Sequence, residues 1–317
     1  MTIAPAPIVI GFVNNMQDGA LRTAERQFGD LVAVASRERP VEIRYYAVPD
    51  VPRSAAGRAQ VRRRYEDIDA LWQARVDGLI VTGAEPVAPA LEDEPYWPGL
   101  AKLVDWAEGN TISTIWSCLA AHAAVLRIDG IDRRPYGDKM SGVFDCVKTI
   151  DHPATDGMPA RWRVPHSRSN DIPKDALVAK SYDILAETDE GGADIFAKPG
   201  KSRFLFIQGH PEYDTGALRR EYRRDVTRYL AGEREDYPEM PRSYFDEPSA
   251  ASFAAFRRRA EDHRAIDLLG DFPAGNPVEG TTPSWRAPAV RLYENWLSLL
   301  AQHKTAAPAR LRSSTGR

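Results

Sequence analysis

Cysteine is nearly absent from this chain: 317 residues contain two, Cys118 and Cys146. Two thiols make no disulfide framework at this length. Without a Cys-x-x-Cys pair, a thiolate zinc site is not expected either, and no metal is. Net charge is just as scarce. Lys and Arg number 42 against 45 Asp and Glu, a formal balance of −3, and the arginines are scattered rather than massed. Neither nucleic acid nor an anionic membrane surface is therefore an expected partner. Long apolar runs are missing too; no stretch nears the roughly 20 residues of a membrane span. Residues 1–7 carry no basic leader region with an apolar segment behind it, so cytoplasm is the default expectation. What remains is an ordinary globular composition, 43% hydrophobic and 27% charged. At this length that supports one large α/β domain or two smaller ones.

Ile8-Val9-Ile10-Gly11-Phe12-Val13 is a short, continuous apolar run, the pattern of a buried parallel strand. A helix is predicted over 20–36, a strand over 41–48 and a polar, Arg-rich helix over 55–73. A buried strand follows at 76–83, then a helix over 98–108. Strands alternating with helices imply βαβ units and a parallel sheet. Beyond Lys139 the texture changes to short strands at 142–147, 183–188, 193–197 and 203–207. A helix is predicted over 216–231. The stretch 237–283 is broken by Pro, Gly and acidic residues, and a last amphipathic helix spans 287–303. The basic, small-residue-rich segment 304–317 is expected to be a disordered tail.

Cys118 stands where a β-rich run, Thr111 to Ser117, meets an Ala/Leu-rich helical run, Leu119 to Leu126. A thiol at a helix N-terminus faces free backbone N–H groups and the positive end of the dipole, which favours the reactive thiolate. Small residues are wanted two positions either side of such an elbow; Ala120 fits and Trp116 does not. About ninety residues on, Gly209-His210-Pro211-Glu212 ends another apolar run. In extended backbone, residues two apart point the same way, so Glu212 can lie beside His210. Thiol, imidazole and carboxylate are the groups of covalent acyl transfer. The Leu119 N–H is one oxyanion-hole candidate, and the loop Thr82-Gly83-Ala84-Glu85-Pro86 could supply a second at Ala84. Taken singly, Cys118 reads as a buried structural thiol and the loop as an ordinary turn; their combination points to chemistry.

These stretches, with Asp138-Lys139-Met140-Ser141-Gly142, Pro165-His166-Ser167-Arg168, Glu221-Tyr222-Arg223-Arg224-Asp225 and Ser284-Trp285-Arg286, resemble the homoserine O-acyltransferases of methionine biosynthesis. The resemblance runs in order from the first strand to the last helix. It implies a parallel-sheet three-layer sandwich of class I glutamine-amidotransferase-like type, with extra short strands and a C-terminal helical extension. One domain would cover 1–303, with 237–303 packing on it. It also implies ping-pong chemistry: Cys118 takes an acyl group from acyl-CoA as a thioester, and a hydroxyl deprotonated by His210, itself oriented by Glu212, attacks it. By the same carry-over Lys139, Ser167 and Arg224 contact the amino acid. Without it, Lys139 and Arg224 read as surface charges and Ser167 as a turn residue.

The implied partners are acyl-CoA (succinyl-CoA or acetyl-CoA) as co-substrate and a small amino acid. No cofactor is expected to stay bound, and a homodimer is left open. At the family position linked to acyl choice, ungapped counting puts Val87 and a one-residue shift puts Ala88. Neither can repel a second carboxylate as glutamate would, so succinyl is preferred over acetyl. Gln17-Asp18-Gly19-Ala20 stands where the family usually carries a proline and lysines, and Leu119 where tryptophan is common. Two other readings stay open: acylation of another hydroxy amino acid such as serine, and a non-catalytic, amidotransferase-like relative. Glutamine hydrolysis is disfavoured, because Trp116-Ser117-Cys118-Leu119-Ala120-Ala121-His122 lacks the glycines and glutamine of such sites.

Overall fold

The structure, a computed structural model, describes residues 6–190, 192–278 and 283–311, without the side chains of 306–311. The first half gives β1 (Ile8–Val13), α1 (Asp18–Ser36), β2 (Val41–Tyr46), α2 (Ala55–Arg64), α3 (Ile68–Gln73), β3 (Gly78–Val81), α4 (Trp97–Asn110), β4 (Ser113–Ser117) and α5 (Leu119–Asp129). The second half adds β5 (Arg134–Lys148), β6 (Arg161–Asp171), α6 (Lys174–Ala179), β7 (Asp183–Thr188), β8 (Gly192–Lys198) and β9 (Arg203–Ile207). It ends with α7 (Ala217–Leu230), α8 (Glu247–Asp262) and α9 (Arg286–Leu311). Among the described residues nine strands form one sheet, in the order β2-β1-β3-β4-β9-β8-β7-β5-β6.

From β2 to β9 neighbouring strands are parallel. From β9 to β6 they are antiparallel. The change of sense follows from the connections. Helical crossovers return the chain in the parallel part, whereas short turns join β7 to β8 and β8 to β9. On one face α3, α4 and α5 bury Leu71, Leu103, Val104 and Ala124 against Trp116 and Phe206. On the other, α1 and α9 bury Phe28, Leu31, Leu292 and Trp296 against Ile10, Ile80 and Ile115. This is the expected three-layer sandwich. A third cluster joins α7 and α8 through Tyr222, Phe253 and Phe256, with Tyr244 and Trp285. Among the described residues no helix is long and apolar enough to cross a membrane.

Several boundaries differ from the sequence reading. The predicted helix over 55–73 is two helices, because Asp67 caps a new start by accepting the Asp69 N–H. β6 was not predicted, and Ser167 lies in it rather than in a turn. Its run Arg161-Trp162-Arg163-Val164 alternates polar and apolar, and Pro165 is tolerated because β6 is the edge strand of the sheet. β5 is 15 residues long, not a short strand. The broken stretch 237–283 contains α8, whose start is fixed by Asp246 accepting the Ser249 N–H, with Pro248 in the first turn. The last helix does not stop at 303. It continues to Leu311, and Lys304 is tied to Asp77 at 2.6 Å and to the Pro7 carbonyl at 2.7 Å. Residues 312–317 of the expected tail lie outside the described residues.

Candidate active site

Cys118 is the N-cap of α5, with φ 51° and ψ −117°. A side chain held at positive φ costs about 1–3 kcal/mol, so the fold must impose it. It does so through the backbone: the Cys118 N–H donates to the Ile207 carbonyl at 2.8 Å, and the Ala121 N–H bonds back to the Cys118 carbonyl at 2.9 Å. The thiol is thereby turned out of the sheet at the C-terminal ends of β4 and β9. Trp116 causes no crowding at this elbow. Its indole lies fully buried in the core against Phe204, with its N–H on Thr114.

β9 delivers the second group. The Gly209 N–H donates to Asp194 at 2.9 Å and the His210 N–H to the Pro165 carbonyl at 2.8 Å, which pins the turn from both sides. A Cβ at Gly209 would sit 2.7 Å from the Asp194 carboxylate, so glycine is required there. The His210 Nδ1 lies 2.8 Å from Glu212 Oε1, and both residues are buried. Burial alone would lower the His210 pKa. The Glu212 charge and the charge and hydrogen bond of Cys118 outweigh it and hold the imidazole well above its ordinary range. Thiol, imidazole and carboxylate thus form one line, and the Tyr213 ring stacks on the imidazole at 4.2 Å.

The loop after β3 closes against the start of α5. A Cβ on Gly83 would meet Leu119 Cβ at 2.5 Å and Leu119 N at 3.0 Å. Gly83 and Leu119 are therefore close neighbours, and Ala84, next along the loop, is buried. Val87 stands differently: its side chain is 65% exposed. The backbone around it is fixed instead, since buried Glu94 accepts the Val87 and Ala88 N–H groups at 2.6 and 2.7 Å.

Lys139, Ser167 and Arg224 gather along α7. Lys139 pairs with Asp225 at 2.8 Å, Arg224 donates to the same carboxylate at 3.0 Å, and Ser167 donates to Glu221. The Tyr213 hydroxyl also donates to Glu221, which links this cluster to the ring stacked on His210. Arg228 reaches across to Glu85, next to Ala84. Sequence reasoning missed Tyr213, Glu221, Asp225 and the Glu85–Arg228 pair as members. The available signal was spacing, for Glu221, Asp225 and Arg228 recur at i, i+4 and i+7 on one helix face.

A nucleophile elbow on a parallel sheet, with an imidazole and carboxylate on the next strand, is the arrangement of class I glutamine-amidotransferase-like α/β proteins. The fold agrees with that class: a glutamine amidotransferase from Methylobacillus flagellatus superposes with a TM-score of 0.52 over 92% of this chain and 94% of that one, at 13% identity. The sequence goes further. The profile described as homoserine O-succinyltransferase matches residues 3–307. A homoserine O-succinyltransferase of Rhodopseudomonas palustris is 49% identical over 93% of this chain and 88% of its own length. One from Bradyrhizobium japonicum is 48% identical over 94% and 91%. The chain belongs to the homoserine O-succinyltransferase family.

Proposed function

We propose that this protein transfers a succinyl group from succinyl-CoA to the hydroxyl of L-homoserine through a thioester on Cys118. The observation that carries the reading is the line Cys118–His210–Glu212, its imidazole and carboxylate buried and its thiol partly exposed, with Cys118 held at positive φ on a helix N-terminus. Family membership supports the donor and the acceptor.

In the first half-reaction the Cys118 thiolate, facing an imidazolium at His210, attacks the thioester carbonyl of the acyl-CoA. The new C–S bond forms, the bond to the CoA sulfur breaks, and CoA leaves with the proton from His210. In the second, neutral His210 takes the proton of the homoserine hydroxyl as its oxygen attacks the Cys118 thioester. The C–O bond forms and Cys118 leaves as thiolate. Glu212 holds the Nδ1 proton, so Nε2 does the work in both steps. The Leu119 and Ala84 N–H groups stabilise the oxyanion of each tetrahedral intermediate. At the amino-acid end, Arg224 and Lys139 bind the carboxylate, while Ser167 and Glu221 face the ammonium.

A thiol-release assay across succinyl-, acetyl- and propionyl-CoA, with homoserine and serine as acceptors, tests this reading. Turnover is expected with succinyl-CoA and homoserine. Turnover with acetyl-CoA alone, or with serine in preference to homoserine, refutes the stated donor or acceptor.

A further inference from the structure

A four-carbon diacid on Cys118 brings a second negative charge into a site where Lys139 and Arg224 are already assigned to the carboxylate of the amino acid. Lys139 and Arg224 both pair with Asp225, and Arg228 with Glu85. Arg133 is different. It follows α5 closely in sequence, where Gly130, at φ 65°, ends the helix and turns the chain back on itself. The Ile131 N–H then bonds to the Val125 carbonyl. The Arg133 Nη2 donates to the carbonyls of Pro89 at 2.7 Å and Ala88 at 3.4 Å, in the loop that begins at Gly83 and Ala84. Its Nη1 is buried and has no partner among the described residues. A buried guanidinium N–H without an acceptor is costly, and a carboxylate is the acceptor that best matches its fork.

His122 supplies a second such atom. It is 4% exposed, and its Nδ1 is buried without a partner among the described residues. It lies one helical turn, about 5.4 Å, beyond Cys118 on the same face of α5. A succinyl chain extended from the sulfur covers a comparable span. Burial, first, and then the charges of Arg168 and Arg133 hold His122 neutral. Glu94 forms no ion pair with Arg133: its Oε1 is committed to the Val87 and Ala88 amides, and its Oε2 is buried without a partner among the described residues.

We propose that Arg133, assisted by His122, holds the free carboxylate of the succinyl group carried on Cys118, and so selects a dicarboxylic acyl donor. This rests on the succinyl-transfer reading above. It moves the choice of acyl group from the exposed Val87 side chain to a half-buried cation bonded to the same loop.

The test compares succinyl-CoA with butyryl-CoA, which has the same carbon count and no free carboxylate, in single-turnover acylation of Cys118 followed by mass spectrometry. The rate of Cys118 alkylation by neutral iodoacetamide reports whether the nucleophile is intact, and circular dichroism whether the chain is folded. In Arg133→Met the rate with succinyl-CoA is expected to fall about 100-fold, with butyryl-CoA and iodoacetamide rates changed by less than about 3-fold. Equal losses for both acyl donors with alkylation intact, or no loss for either, overturn the proposal. Should circular dichroism show Arg133→Met to be misfolded, Arg133→Lys decides. An ammonium cannot hold the loop carbonyls and a carboxylate fork together, so the succinyl/butyryl ratio must still drop about 10-fold; an unchanged ratio overturns it. Wild-type enzyme that is acylated by acetyl-CoA but not by succinyl-CoA refutes the donor reading itself, a result distinct from one in which wild type takes succinyl-CoA and Arg133 does not matter.

Discussion

On the parallel side of the sheet the chemical groups are held by backbone. Cys118 is fixed by the Ile207 carbonyl and the start of α5, and His210 by the Pro165 carbonyl and the turn through Gly209. On the antiparallel side, under α7, the groups are held by other side chains. Lys139 and Arg224 share Asp225, and Ser167 and Tyr213 share Glu221. Backbone anchoring gives one geometry with little dependence on salt. Side-chain ion pairs, several of them partly exposed, are weak and exchangeable. That suits their places: the reacting atoms must not move, whereas the amino-acid site must admit a charged ligand, re-pair with it and release it.

The sharpest way to break this contrast is to remove the nucleophile and leave the frame. Cys118→Ala is expected to lose all measurable turnover and to give no acyl adduct when incubated with succinyl-CoA and no acceptor. Circular dichroism should be unchanged, because the elbow is set by main-chain bonds. Wild-type turnover in this variant would end the thioester mechanism. Cys146 is the control. It is fully buried among apolar groups beside Asp194, and burial pushes its thiol pKa well up, so it should not be acylated.

Next in size is the pair in the turn after β9. His210→Ala removes the base of both half-reactions and is expected to abolish each. Glu212→Gln keeps the shape but loses the charge that orients the ring, a change that can cost up to about 10⁴-fold while leaving residual rate. Pre-steady-state release of CoA, then of product, separates the two steps. Full activity in both variants would remove the pair from the site.

The antiparallel side should respond differently in kind. Arg224→Lys keeps the charge but loses the planar fork, and KM for homoserine is expected to rise about 10- to 100-fold, with the acylation half-reaction unaffected. Because Arg224 and its partner Asp225 are tied only through side chains, raised salt should weaken homoserine binding further in the variant. A loss confined to the CoA half-reaction would place Arg224 with the wrong substrate.

The same division governs what could be read from sequence. β1 and β9 are bounded as the apolar runs suggested, because strands buried on both faces write themselves as continuous Ile, Val, Leu and Phe. The Cys118 elbow and the His210–Glu212 spacing were legible for the same reason: each follows directly on such a strand. β6 was not legible. One face meets the core through Trp162 and Val164 while Arg161 and Arg163 lie outward, and Pro165 interrupts the run. The partners of Lys139, Ser167 and Arg224 were also hidden, since α7 approaches β5 and β6 only once the chain has folded. Sequence placed the acyl-choice position at Val87 by counting. It gave no sign that Glu94 would pin the loop backbone and leave that side chain exposed.

The smallest expected effect concerns stability and the neutral state of buried His122. Burial, reinforced by the charges of Arg168 and Arg133, lowers the His122 pKa to about 3. In the unfolded chain the same side chain titrates near its ordinary value of about 6.5. Between these values the unfolded state binds a proton that the folded state refuses, so stability falls as the pH falls from about 6.5 toward about 3, by up to about 1.4 kcal/mol per pH unit from this group. Above about 6.5 both states are neutral and the dependence disappears. His122→Gln should therefore flatten the pH dependence of urea unfolding in that window while leaving its slope at pH 8 unchanged. Buried His166 shifts in the same direction and remains in the variant, so part of the slope must survive. If the slope between pH 4 and 6 is identical in wild type and His122→Gln, His122 is not held neutral in the folded protein, and the charge environment inferred for Arg133 is wrong with it.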